Sequence, residues 1–456
     1  MGVTPQQILQ AREYRAGLQQ EFIHTYGLPL VCFTMNIAGP KKDSPLVRRA
    51  FHFGCQTLLA AFHEHHVEVA GQQTRLKHTG CEAYYAVRAN AHMIKKLCTG
   101  IEDSSPLGRL FDMDVLDETG TQLRREEVGG HARGCIVCGA SGRRCASRRL
   151  HTVEQLQAVT MEILCHHFQQ EDQRQISTLA LRSLLDEVCV TPKPGLVDRV
   201  NSGSHKDMDI FTFTASASAL SPYLSRCVAL GQQTKELSPD ETFARLRRTG
   251  IQAEQDMFQA TGGINTHKGA IFTMGTVCGA IGRLWNAEQP CRNLTAILDM
   301  CAQMTQRAID ADFRTMTMNS NGNLKLTTGQ RLYLQQGIKG IRGEIAAGLP
   351  SVSRIGIPVL RRALTAGKHY NDAAAITLLY LIAHVSDTNM IARGGLEEAR
   401  QAMRNVQALL ADNPLPDWET ISRLDQTFIE KNLSPGGCAD LLAVTLFLHH
   451  WCESES

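Results

Sequence analysis

The feature that most constrains this chain is a change of texture at the polar segment "HFQQEDQRQ" (167–175). Before it, "LPLVCFTM" (28–35), "EAYYAVRA" (82–89) and "RLFDMDVLD" (109–117) are short, rich in β-branched or aromatic residues and bounded by Gly, Pro or polar clusters, so they read as strands. Between the first two, "SPLVRRAFHFGCQTLLAAFHEHH" (44–66) sets Leu46, Ala50, Phe53, Leu58, Ala61 and Phe62 at helical spacing behind a Ser cap and a first-turn Pro. After the polar segment the texture is Ala- and Leu-rich. "LRSLLDEV" repeats apolar residues at 181, 184, 185 and 188, while "AAAITLLYLIAHV" and "CADLLAVTLFLHHW" are apolar almost all round, as buried helices are. The expectation is two domains, α/β over 1–172 and all-α over 173–456, with the polar segment either a seam or part of one continuous helix. At 456 residues the chain also exceeds the usual size of a single core.

Composition narrows the partners. Lys plus Arg number 47 against 45 Asp plus Glu, a balance that supports neither nucleic acid nor a membrane surface as the main partner. No apolar run approaches the roughly 20 residues needed to span a bilayer. The N-terminus "MGVTPQQILQAREYR" lacks the apolar core of a signal peptide, so the fifteen cysteines are expected as reduced thiols in the cytoplasm.

In "RLFDMDVLD", a period of two puts Phe111, Met113 and Val115 on one face and Asp112 and Asp114 on the other. Two carboxylates at adjacent same-face positions can share divalent cations, the way nucleotidyl-transfer sites hold Mg²⁺. A solvated acidic edge would give the same pattern. Downstream, "RGCIVCGASGRRCASRRLH" spaces Cys135, Cys138, Cys145 and His151 as C-x2-C-x6-C-x5-H, within the range that closes tetrahedrally on zinc, although incidental thiols are the alternative. Arg143, Arg144, Arg148 and Arg149 in the same stretch form an anion-binding patch or a solvated face. "HEHH" (63–66) lacks complementary ligands and is set aside.

"LVCFTMNIAGPKKDSPLVRRAF", "GRLFDMDVLD" and "CIVCG…CASRRLH" together resemble the apo-citrate lyase phosphoribosyl-dephospho-CoA transferases. The resemblance implies a nucleotidyltransferase-like domain that moves a phosphoribosyl-dephospho-CoA group from its triphosphate precursor onto a serine of the acyl carrier (γ) subunit of citrate lyase, releasing pyrophosphate. Asp112 and Asp114 would hold the metal that neutralises the leaving pyrophosphate, and Lys41, Lys42 or Arg109 would meet the phosphates. An acidic carrier protein would suit the arginine-rich stretch.

In the second half, "TPKPGLVDRVNSGSHKDMD" (191–209) fixes a non-helical loop with Pro192, Pro194 and Gly195 and then crowds Asp198, Arg199, His205, Lys206, Asp207 and Asp209 together. "FQATGGINTHKGAIFTMG" (258–275) places Gly262 and Gly263 before His267 and Lys268 and then an apolar run. It lacks P-loop spacing, and read by itself it is a weak phosphate-loop signal. "HVSDTNMIARGG" (384–395) offers Asp387, Thr388 and Asn389, oxygen ligands of the kind Mg²⁺ selects, followed by Arg393. "NLSPGGCADLLA" (432–443) sets Ser434, Gly436 and Gly437 before a helix with Asp440 in its first turn. Each of the last two could equally be a capped helix terminus.

These four segments resemble the triphosphoribosyl-dephospho-CoA synthase family, in the family's order. The resemblance implies an all-helical, Mg²⁺-dependent enzyme that joins ATP and 3′-dephospho-CoA into 2′-(5″-triphosphoribosyl)-3′-dephospho-CoA with loss of adenine. Bond breaking at ribose C1 passes through an oxocarbenium-like state, which calls for carboxylates to stabilise the cation and accept a proton. The residues expected in these roles are Asp198 and Asp207, with His205 or His267 protonating adenine. Lys193, Lys206, Lys268, Arg199, Arg393 and the glycine pairs 262–263 and 436–437 are expected at the phosphates, with Asp387, and Glu254 as a further ligand, at Mg²⁺. The whole then reads as a bifunctional transferase. The alternative is a Mg²⁺-dependent hydrolase of ADP-ribose-type substrates fused to a zinc-stabilised module that docks a carrier protein.

Overall fold

The computed structural model describes residues 2–140, 142–318 and 328–453, the side chains of Arg143, Ala146, Met318 and Thr328 excepted. Two compact units divide the chain, one of Met1–Glu171 with Ala287–Gln289, the other of Asp172–Asn286 with Pro290–Ser456. In sequence the division falls inside one uninterrupted helix, Val153–Cys189, so the polar segment at 167–175 is helical.

The first unit is built on a five-stranded sheet, β1 (Leu30–Met35), β2 (Glu68–Lys77), β3 (Gly80–Arg88), β4 (Phe111–Leu116) and β5 (Gln122–Leu123), in the order β2-β3-β1-β4-β5. All four pairings are antiparallel. The sequence pattern indicates β1, β3 and β4 and misses two. β2 is a mostly polar strand on the sheet edge, where alternation is not enforced by burial. β5 is two residues long.

Register sorts the sheet into two faces. Thr34 pairs with Asp112 and Glu82, and Cys32 with Asp114 and Tyr84, so these residues share one face. The opposite face carries Phe33 and Tyr85 and packs under α2 (Pro45–Glu64), where Phe33 stacks on Phe51 at 5.1 Å between centroids and Phe62 meets Tyr85 edge-on. α2 starts at Ser44, whose side chain accepts from the Val47 amide, with Pro45 in the first turn. The first face is covered at one end by α1 (Pro5–Tyr26), which the sequence pattern did not single out. Its Leu18 and Phe22 pack on Leu30, Cys32, Tyr84 and Ala86. α1 is pinned by the buried Glu82, which accepts from Arg15 at 2.8 Å, Arg75 at 3.2 Å and Tyr84 Oη at 2.8 Å. Asp112 and Asp114 lie on this same face, on β4.

Among its described residues, every regular element of the second unit is a helix. α6 (Ile210–Gln233), α7 (Pro239–Ala260) and α8 (Lys268–Arg283) pack together, joined by the buried helices Tyr370–His384 and Gly436–Glu453 in one hydrophobic core. α6 and α8 approach closely because small residues face each other: a Cβ on Gly231 would lie 2.7 Å from the Arg283 amide nitrogen. Among the described residues no single helix is long and apolar enough to cross a membrane.

Candidate functional site

Each unit holds its own cavity. In the first unit, a space of about 1480 Å³ is lined by Asp112 and Asp114 from β4, by Lys95 and Glu102, and by Arg109, Arg125 and Arg133. Cys135, Cys145 and His151 form part of its wall. Lys95 and Glu102 come from one helix, Ala91–Asp103. Both are buried and both are tied to the strand backbone: Lys95 Nζ donates to the Met113 carbonyl at 3.0 Å, and Glu102 accepts from the Met113 amide at 2.7 Å. Arg133 ion-pairs with Glu102, donates to the Phe111 carbonyl at 2.8 Å and lies 3.9 Å from Asp112. Arg109 donates to the Gly134 carbonyl at 2.6 Å. Asp114 accepts from Gln122 at 2.5 Å. Burial first, and the negative charge of Asp112 second, hold the Asp114 carboxyl above the usual carboxylate range.

Lys41 and Lys42 are not at this cavity; Lys42 Nζ donates to the Ile37 carbonyl instead. The sequence reading missed Lys95, Glu102, Arg125 and Arg133, which have no motif of their own. Cys135, Cys138, Cys145 and His151 are brought together, with one ligand atom from each lying within 4.8 Å of the others. Arg149 reaches the cavity wall, whereas Arg144 and Arg148 do not, and the Arg143 side chain lies outside the described residues.

In the second unit a cavity of about 480 Å³ gathers residues from all four motif segments. Lys193, His205 and Asp207 come from the first loop, His267 and Lys268 from the start of α8, Asp387 and Arg393 from the third segment, and Gly436, Gly437 and Asp440 from the fourth. Glu187 and Glu344 complete the acidic lining. The cations are already engaged: Lys193 with Glu187 at 2.6 Å, Lys268 with Glu254 at 2.7 Å, and Arg393 with the Ser204 carbonyl and with Asn432 at 2.9 Å.

Asp387 caps the short helix Thr388–Gly394. Its Oδ1 accepts from the Asn389 and Met390 amides at 2.7 and 3.0 Å, and its Oδ2 from the Cys438 amide at 2.8 Å, so one carboxylate joins the third motif to the fourth. Asp440 stands at the N-terminus of α8 and accepts from the Ala270 amide. A protein carboxylate therefore occupies the start of the helix that follows the weak phosphate-loop signal. Burial, then the charges of Glu187 and Asp387, push Asp440 well above the usual carboxylate range.

His267 is fully buried beside Phe213, and Thr266 Oγ1 donates to Ser216 Oγ at 2.7 Å. Ser216 Oγ in turn lies 2.7 Å from His267 Nδ1. Where Ser216 passes its proton on to Nδ1, Nε2 carries the ring hydrogen. Nε2 has no partner among the described residues, and burial, followed by the nearby Lys193 charge, lowers the imidazole to about 3. His205 accepts or donates at Ser434 Oγ, 2.9 Å away; burial and Arg393 lower it, against the opposing Asp207.

Several expected residues stand outside the cavity. Asp198 organises its loop, taking the amides of Val200 at 2.7 Å, Asn201 at 3.0 Å and Lys193 at 3.2 Å. Arg199 is bound to Thr191 and Asn371, and Lys206 is exposed on the loop. Gly262 and Gly263 make a turn at φ +65° and +93° after α7, a conformation that favours glycine. Glu187 and Glu344 were missed by the sequence reading, and Asp440 was noted there only as a first-turn acid.

Comparison with known proteins matches both halves. The family model for ATP:dephospho-CoA triphosphoribosyl transferase (CitG) matches residues 173–456, and that for apo-citrate lyase phosphoribosyl-dephospho-CoA transferase (CitX) matches residues 3–167. "Protein CitXG" of Haemophilus influenzae is 35% identical over 455 residues, covering 98% of this chain and 96% of that protein. "Protein CitXG" of Leuconostoc mesenteroides subsp. cremoris is 32% identical over 456 residues, covering 97% and 96%. The "Probable 2-(5''-triphosphoribosyl)-3'-dephosphocoenzyme-A synthase" of Citrobacter koseri is 42% identical over 276 residues, covering 59% of this chain and 88% of that protein.

Proposed function

The chain belongs to the family of fused CitX and CitG proteins, bifunctional transferases of citrate lyase prosthetic-group biosynthesis, and from that premise we propose how its two cavities divide the chemistry. The second-unit cavity joins ATP to 3′-dephospho-CoA, releasing adenine and giving 2′-(5″-triphosphoribosyl)-3′-dephospho-CoA. The first-unit cavity, on a nucleotidyltransferase-like scaffold, passes the phosphoribosyl-dephospho-CoA part of that product to a serine of the acyl carrier subunit of citrate lyase and releases pyrophosphate. The observation that carries the reading is the gathering of Lys193, Lys268, Arg393, Asp387 and Asp440, drawn from four separate segments, around one cavity.

Within the second unit, Lys193, Lys268 and Arg393 bind the triphosphate, which this reaction must hold without cleaving. Asp207, at the cavity and largely exposed, is placed to take the proton of the attacking ribose hydroxyl. His205, when protonated, gives its proton to departing adenine, and His267, as a neutral ring, donates a hydrogen bond from Nε2. Hard oxygen donors suit Mg²⁺ at both cavities: Asp440 and Glu187 with Asp387 in the second unit, Asp112 with Asp114 in the first. When bound, the ion neutralises phosphate charge. In the first unit Lys95, Arg109 and Arg133 meet the phosphates. A reducing, cytoplasmic setting, in which the fifteen cysteines stay unpaired, is part of this proposal.

The test is purified full-length chain with ATP, Mg²⁺ and dephospho-CoA, followed by addition of apo-carrier. Adenine release that requires dephospho-CoA, then a mass increase on one carrier serine with pyrophosphate release, is the expected result. Free ribosyl product without dephospho-CoA would replace the synthase reading with a hydrolase.

A further inference from the structure

The Cys135, Cys138, Cys145 and His151 cluster has dimensions that can be checked against a metal. A tetrahedral zinc with Zn–S near 2.3 Å and Zn–N near 2.0 Å places its ligands roughly 3.8 Å apart for sulfur pairs and roughly 3.5 Å apart for sulfur and nitrogen. Cys138 Sγ lies 3.5 Å from Cys145 Sγ, and His151 Nε2 lies 3.3 Å from Cys138 Sγ.

The backbone around the first two cysteines is folded for ligation as well. Cys135 N donates to the Ala140 carbonyl at 2.6 Å, Gly139 turns at φ +70° to donate back to the Cys135 carbonyl at 2.9 Å, and the Val137 amide lies 3.4 Å from Cys135 Sγ. Cys145 then comes from the short helix Gly142–Arg148, and His151 follows just after it.

We propose that this chain binds one zinc ion through Cys135, Cys138, Cys145 and His151, and that the ion is structural and fixes the wall of the first-unit cavity. Four protein ligands close the tetrahedron and leave no position for substrate or water. What the ion holds is visible in the two residues before Cys135. Arg133 engages Glu102, the Phe111 carbonyl and the neighbourhood of Asp112, and the Gly134 carbonyl accepts from Arg109. Zinc binding is therefore coupled to the placement of Arg133 and Arg109 beside the paired aspartates.

The role of the ion rests on the transferase reading of the first unit; its presence does not, and the experiment separates the two. Full-length chain purified without chelators is assayed for metal by plasma mass spectrometry, next to Cys138→Ser and His151→Ala. About one zinc per chain is expected in the native protein, with a clear loss in both variants. Exchange with Co²⁺ should give thiolate charge-transfer and tetrahedral absorption that Cys138→Ser loses. Chelator-treated protein, freed of chelator and returned to Mg²⁺, should stop modifying the carrier serine while still releasing adenine. A native chain without zinc whose Co²⁺ spectrum shows no thiolate ligation overturns the site. Zinc removal that leaves serine modification intact overturns its role. Should the variants fail to fold, the native metal content and the Co²⁺ spectrum still decide.

Discussion

The carboxylate of Asp440 occupies the space that a side chain at Gly269 would need: a Cβ there would fall within contact distance of Asp440 Oδ2 and 2.8 Å from its Cγ. Gly269→Ala should therefore displace Asp440 from the start of α8. Adenine release is expected to drop about tenfold or more, while transfer of pre-formed triphosphate precursor to the carrier stays at the native rate. Equal loss in both assays would point to general unfolding instead.

Asp112→Asn should separate stability from activity in the first unit. Asp112 adds to the pressure that burial already exerts on Asp114, so removing its charge relieves repulsion. The melting temperature is expected to hold or rise, while pyrophosphate release falls about 100-fold and adenine release is unchanged. Unaltered pyrophosphate release would take Asp112 out of catalysis.

Arg133→Met removes the closest cationic partner of Glu102, leaving Arg125 at 3.6 Å and the Met113 amide. Losing the nearer of its two cationic partners costs this buried carboxylate up to about 3 kcal/mol, the loss expected when a buried pair is broken outright. Urea unfolding followed by a first-unit probe should show that loss, and the double variant Arg133→Met with Glu102→Gln should recover part of it.

For His267 the sign follows from burial. The folded imidazole sits at about 3, below its ordinary 6.5, so the unfolded chain takes up the proton first as pH falls. The stability that depends on a neutral ring is fully present above about 6.5 and declines toward about 3, with a slope of at most about 1.4 kcal/mol per pH unit. Denaturation from pH 7 to pH 4 should show a flatter slope for His267→Gln than for the native chain. The adenine-release profile should contain no ionisation of His267 near neutrality; a native-chain NMR titration of its ring near pH 6.5 would refute the assignment.

Much of this architecture is legible in the sequence. Asp112 and Asp114 share a face because strand period demands it, and the buried helices at 370–384 and 436–453 announce themselves by being apolar all round. What sequence cannot separate is an aspartate that serves a ligand from one that serves the backbone. Asp198 sits in a dense cluster of charged residues yet, outside the cavity, spends its oxygens on three amides, and Gly262 and Gly263 belong to a turn away from the cavity. Glu187 went unread for the opposite reason, since it lies beside an apolar stripe and acquires its role only when Lys193 folds back onto it.

The prior engagement of Lys193, Lys268 and Arg393 changes what recognition means in the second unit. An anion arriving there does not settle onto waiting charge; it takes over contacts that carboxylates and a loop carbonyl already hold. A monovalent anion can displace only one such contact, and gains little beyond what it breaks. A triphosphate can replace several at once, so the barrier that excludes simple salts becomes selection by valence.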